Sequence, residues 1–195
     1  MQERFVSGCL AFWAYESRFS HLLKGIEMLL RDDLELKLQS LYSARAAMPA
    51  SVQLSDSTGI ALRLELSHLD FMSCAFSELA LFIPQLQNAA FSMLEQWAED
   101  LSKRMTYLLE PLGPLEFDPT GGQILVRSTP PGQGPRGTLF YELLLTTSGH
   151  GTFSLRRYQS ISGQAGRTPT DIQVTHEVLL RLVTDLLATL PASGP

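Results

Sequence analysis

Cysteine, lysine and long apolar runs are all scarce in this chain, and each shortage closes off a class of protein. Two cysteines, Cys9 and Cys74, in 195 residues are too few for a disulfide framework. Reduced thiols and a cytoplasmic location are therefore expected. No stretch approaches the roughly 18 consecutive apolar residues of a membrane-spanning helix, so no membrane partner is expected. Lysine occurs only at positions 24, 37 and 103, and 15 basic side chains face 20 acidic ones for a net charge of −5. That balance gives no electrostatic footing on nucleic acid or on an anionic membrane surface.

Recognisable chemistry is scarce as well. A metal site needs three or four converging ligands, and His68 with Asp70 supplies two; His21, His150 and His176 are scattered. Ser148 neighbours His150 within a Gly-bearing turn, a geometry that reads as turn rather than nucleophile. Gly121-Gly122 and the Gly132 to Gly137 region lack the strand-to-helix setting and the lysine of a phosphate loop. Cys74, inside the apolar run Phe71 to Phe76, reads as a small buried hydrophobe. Val6-Ser7-Gly8-Cys9 resembles a bacterial lipoprotein processing site, but too few residues precede it for a charged start and an apolar stretch of about 7 to 15 residues. No catalytic residue, cofactor or metal is assigned.

What is present is a core-forming composition, 45% hydrophobic and 18% charged, of a length suited to one domain. Residues 5–13 are apolar and read as either strand or helix. From residue 17, Phe19, Leu22, Leu23, Ile26, Leu29 and Leu30 follow the helical period. A second helix is expected from Asp32, with Leu34, Leu38, Leu41 and Tyr42 on its core face, so that helices occupy about 17–48. The period then becomes two: Ile60, Leu62, Leu64 and Leu66 alternate with polar neighbours, and Val52 and Leu54 form the partner in a hairpin over about 51–67.

Helical spacing returns over about 77–110, with Trp97, Met93 and Met105 on one side. Glu99 with Lys103 and Asp100 with Arg104 are placed as ion pairs on its wet face. Strands are expected over about 115–159, ending in a hairpin of 138–146 with 152–158. A C-terminal helix follows over about 174–190, with Thr175 as its N-cap. The segregation of strands and helices predicts a single α+β domain spanning 1–195, its antiparallel sheet having four to six strands and its helices lying mainly on one face.

Two features carry functional expectations. In the last helix Val178, Leu179, Leu180, Leu182, Val183, Leu186, Leu187 and Leu190 cover roughly 200° of the surface at about 100° per residue, about twice the usual stripe. Either the helix is sandwiched, or Leu180, Val183 and Leu187 await a partner. Arg156, Arg157 and Arg167 form the second feature, a candidate anion-binding spot at a sheet end. Neighbours on a strand alternate faces, so Arg157, in phase with Phe153 and Leu155, either sits at a rim where that end of the strand leaves the core, its stem snorkelling, or is buried and paired with a carboxylate or several carbonyls.

The sequence thus reads as a noncatalytic protein-interaction module, an adaptor, assembly factor or chaperone-like protein, self-associating as a homodimer or larger homo-oligomer through the C-terminal helix. The rival reading is a small-ligand-binding domain or enzyme with a pocket between sheet and long helix, walled by Trp97, Met93 and Met105.

Overall fold

A computed structural model describes residues 29–149 and 151–191; the expected elements at 5–13 and 17–28, together with Cys9, His21 and His150, lie outside them. The described chain opens in helix α1, residues 29–43. It runs uninterrupted past Asp32, where a new helix was expected to start, and Arg31 bridges Asp32 and Glu35 there at 2.7 and 2.9 Å. Leu30, Leu34 and Leu38 are buried. Tyr42, expected on the core face, instead lies exposed with its ring 5.9 Å from that of Phe71.

The architecture is α+β with an antiparallel sheet, as expected, but the sheet has ten strands rather than four to six. They are β1 (Ala50–Ser55), β2 (Ala61–Leu69), β3 (Ser73–Phe82), β4 (Leu112–Asp118), β5 (Gln123–Ser128), β6 (Gly132–Gly134), β7 (Gly137–Thr146), β8 (Thr152–Ile161), β9 (Thr168–Thr170) and β10 (Ile172–Thr175). The main path is β1-β2-β3-β8-β7-β5-β4, with β10 on β3, β6 on β7 and β9 on β8. Helices α2 (Phe91–Arg104) and α3 (His176–Ala188) complete the fold.

The β1–β2 turn shows why the first hairpin is local. Asp56 Oδ1 accepts hydrogen bonds from the Thr58 and Ile60 amides and the Thr58 hydroxyl, and Gly59 takes φ +86°, a conformation that costs glycine least.

The expected helix over 77–110 is the largest correction. Residues 73–82 form β3, and the helix is confined to 91–104. β3 is a central strand buried along most of both faces, so it lacks the two-residue alternation that marks a half-exposed strand. The good helix formers Glu78, Leu79 and Ala80 yield to pairing with β2 and β8. A 3₁₀ turn at Pro84–Leu86 then redirects the chain. That turn packs so closely on the start of β8 that a Cβ on Gly151 would stand 2.4 Å from Leu86 Cβ and 2.6 Å from the Ile83 carbonyl oxygen. Three short strands, β6, β9 and β10, add to the sheet; β9 and β10 lie beyond the expected strand region of 115–159, and β10 overlaps the expected start of the last helix at 174. They are three or four residues long and exist as strands through their partners, not through their own period.

β3 and β8 pair only over Leu79–Phe82 against Thr152–Leu155 and then diverge. β9 and β10 enter the split, β9 on β8 and β10 on β3. Beneath this junction lies the core. Trp97 of α2 is fully buried, its ring 6.0 Å from that of Phe153, and its indole N–H donates to Thr189 Oγ1 at 3.2 Å beyond the end of α3. One residue thus ties sheet, α2 and α3. Trp97→Ala is expected to cost about 3–5 kcal/mol, measured by urea denaturation, and to remove most of the coupling seen with Thr189→Val in a double-mutant cycle.

Candidate functional site

The face of the sheet carrying Arg63, Glu78, Arg156, Glu142 and Arg127 is the candidate site. Register builds a charged row across it: Glu65 stands opposite Glu78, Arg156 opposite Glu142, and Glu142 opposite Arg127. Side-chain bonds connect the row. Glu78 accepts from Arg156 Nη2 at 2.8 Å and from Arg63 Nη2 at 2.9 Å. Glu142 accepts from Arg127 Nε at 3.0 Å and from Arg167 Nη1 at 2.7 Å. Each of these two carboxylates is nearly buried and held by two arginines. Charge-assisted hydrogen bonds of this kind fix the guanidiniums in place.

The three arginines of the expected anion spot part company. Arg156 and Arg167 reach the row just described, on Glu78 and Glu142. Arg157 points to the helix-covered face, where its Nη2 donates to Glu110 Oε1 at 2.6 Å and its guanidinium lies 4.8 Å from the Tyr141 ring centroid. The pair is deep, with side chains 11% and 7% exposed, and Glu110 Oε2 and Arg157 Nε have no hydrogen-bond partner among the described residues. Of the two expected alternatives, the rim and the buried pair, Arg157 takes the second, and its partner is a carboxylate. Gly132 faces the pair: a Cβ there would meet Glu110 Oε1 at 2.4 Å. Arg127, overlooked in the sequence, takes the place beside Arg167; its only signal was a charge facing out of a short strand.

The broad apolar girth of α3 is absorbed within one chain. Leu180, Val183 and Leu187, the expected partner interface, are 5%, 0% and 3% exposed and belong to the cluster that includes Leu30, Leu34 and Leu38. The helix is sandwiched, and the interface assignment is corrected. Its N-cap is as expected, with Thr175 Oγ1 accepting from the Val178 amide at 3.3 Å. Asp185 near its other end accepts from Arg104 Nε at 2.6 Å. Arg104 is thus drawn away from Asp100, its expected partner, while Glu99 and Lys103 do pair at 3.2 Å.

The rival pocket between sheet and long helix is occupied by side chains: Trp97 and Met105 are fully buried there. Met93 is half-buried instead and lines a separate hollow of about 610 Å³ together with Asp100 and Arg104. Among the described residues no three His, Cys, Asp or Glu side chains gather as a metal site, and no helix is long and apolar enough to cross a membrane. His68 is exposed, and Asp70 accepts from the Phe71 amide. No family model, curated protein or solved structure matches this chain.

Glu110→Ala would strand Arg157 as a buried charge and is expected to lower stability by about 3–5 kcal/mol. Joint replacement by Glu110→Leu and Arg157→Met should recover most of that loss in urea denaturation. Burial pushes the Cys74 thiol up to about 12, above its value of 9.0 in an open chain. Its contribution to stability is therefore complete below pH 9 and lost as pH rises towards 12. In a Cys9→Ser background, Cys74 is expected to resist iodoacetamide at pH 8 until the protein is unfolded, as read by intact mass.

Proposed function

We propose that this chain is a noncatalytic protein-interaction module that self-associates by sheet extension, its β1 edge pairing antiparallel with β1 of a second copy. The observation that carries the reading is the difference between the two ends of the sheet. β4 is blunted in the ways that guard an edge: Pro114, a bulge between Pro114 and Glu116, and the charges of Glu116 and Asp118. β1 has none of these. Ala50–Ser55 contains no charged residue and no proline, pairs with β2 in unbroken register over all six residues, and has no strand on its outer side among the described residues.

An unguarded edge offers backbone N–H and C=O groups to another strand, and an uncharged one does not repel its own copy in an antiparallel pair. Burial of α3 removes the helix as the contact, so the edge takes over that role. The arginine-clasped carboxylates support a binding role over catalysis, because the charges of the open face hold one another in position.

Sedimentation velocity at micromolar concentration should give a dimer for the native sequence and a monomer for Ser51→Lys with Gln53→Lys. Both side chains are exposed, so stability should stay within about 0.5 kcal/mol. A native chain that sediments as a monomer, or a lysine variant that remains dimeric, overturns the proposal.

A further inference from the structure

At the end of the open face where β5, β7 and β8 meet the loop before β9, five side chains close into a ring of contacts. Phe140 and Tyr158 are cross-strand partners, their rings stacked 6.1 Å apart with planes inclined by 29°. The Arg127 guanidinium lies 5.0 Å from the Phe140 ring centroid, and that of Arg167 lies 4.5 Å from the Tyr158 centroid. Both guanidiniums then donate to the same atom, Oε1 of the nearly buried Glu142. Each arginine is held by an aromatic face and a charge-assisted hydrogen bond, so the entropy of ordering two long side chains is already spent.

The ring carries two positive charges against one negative. Arg127 and Arg167 also line a hollow of about 720 Å³ together with Phe140, Leu115, Ser128 and Ser160, and no aspartate or glutamate lines it. Each guanidinium has five N–H donors. Arg127 commits two of them to Glu142 and Arg167 one.

We propose that this hollow binds a small organic oxyanion, a phosphate or carboxylate group on an apolar body, with Arg127 and Arg167 holding the oxyanion and Phe140 and Leu115 against the apolar part. The site is independent of the β1 edge and stands or falls separately from self-association. An arriving anion balances the unmatched charge of the ring, and the half-buried Ser160 supplies a neutral hydroxyl beside it. Arg156, on Glu78, and Arg157, on the opposite face, are not part of it.

Amide chemical shifts of the nitrogen-15-labelled full chain titrated with phenyl phosphate and, separately, with benzoate test this directly, with phenol as the neutral control. Saturable shifts confined to residues 127–129, 138–140, 160 and 166–167 are expected with at least one of the two anions, and none with phenol. Arg167→Gln should weaken binding by at least about ten-fold, the loss of one charged donor, while Arg181→Gln, whose guanidinium lies over Tyr107, should leave it unchanged. Because Arg167 is half-exposed, the variant should fold, and its dispersed spectrum checks that. Failure of both anions to give saturable shifts, equal binding of phenol, or equal binding by Arg167→Gln overturns the proposal.

Discussion

Four residue pairs, Leu79–Phe82 against Thr152–Leu155, join the two halves of the sheet, and the remaining architecture is arranged to secure that short seam. On one side lie β1, β2, β3 and β10; on the other lie β8, β7, β5 and β4 with β6 and β9. Four pairs are a weak link between blocks of this size, and three devices reinforce it. β9 and β10 fill the gap where β3 and β8 part. Glu78 and Arg156 bond across the seam on the open face at 2.8 Å. Trp97 and Phe153 meet beneath it, where burial of large aromatic surface supplies the greatest stabilisation per residue.

Among the described residues, coverage of the sheet by helices on one side follows from the same layout. The helices bury Leu79, Leu81, Phe153 and Leu155, and the opposite face is left to charges that satisfy each other. Arginine serves there because its planar fork can meet a carboxylate and an aromatic face together. That is how Glu142 and the Phe140–Tyr158 pair come to hold Arg127 and Arg167 at fixed positions. The two proposals use different leftovers of this economy: an edge that nothing blunts, and a pair of guanidiniums whose charge only one carboxylate offsets.

Legibility in the sequence tracked how local the cause was. The β1–β2 and β7–β8 hairpins, the Thr175 cap and the Glu99–Lys103 pair depend on residues within a few positions of one another, and all are present. β3 escaped because a strand buried on both faces loses its alternation, and β9 and β10 escaped because strands of three or four residues carry no period to read. For the site, alternation along β8 separated Arg156 from Arg157 and left the latter either at a rim or buried and paired. That the carboxylate is Glu110, and that Arg127 joins Arg167, depended on contacts across 47 and 25 to 15 residues of sequence respectively.

By itself, then, the order of residues determined an α+β chain with an antiparallel sheet, the helical and strand periods of its half-buried elements, and the placement of Arg156 and Arg157 on opposite faces of β8, because each rests on side-chain spacing along one element. The tertiary structure alone decided that the surplus leucines of α3 are sandwiched rather than offered outward, how many strands the sheet holds, and which acid meets which arginine. Those outcomes depend on which surfaces remain uncovered once every element has packed, a property of the whole chain that no local pattern encodes.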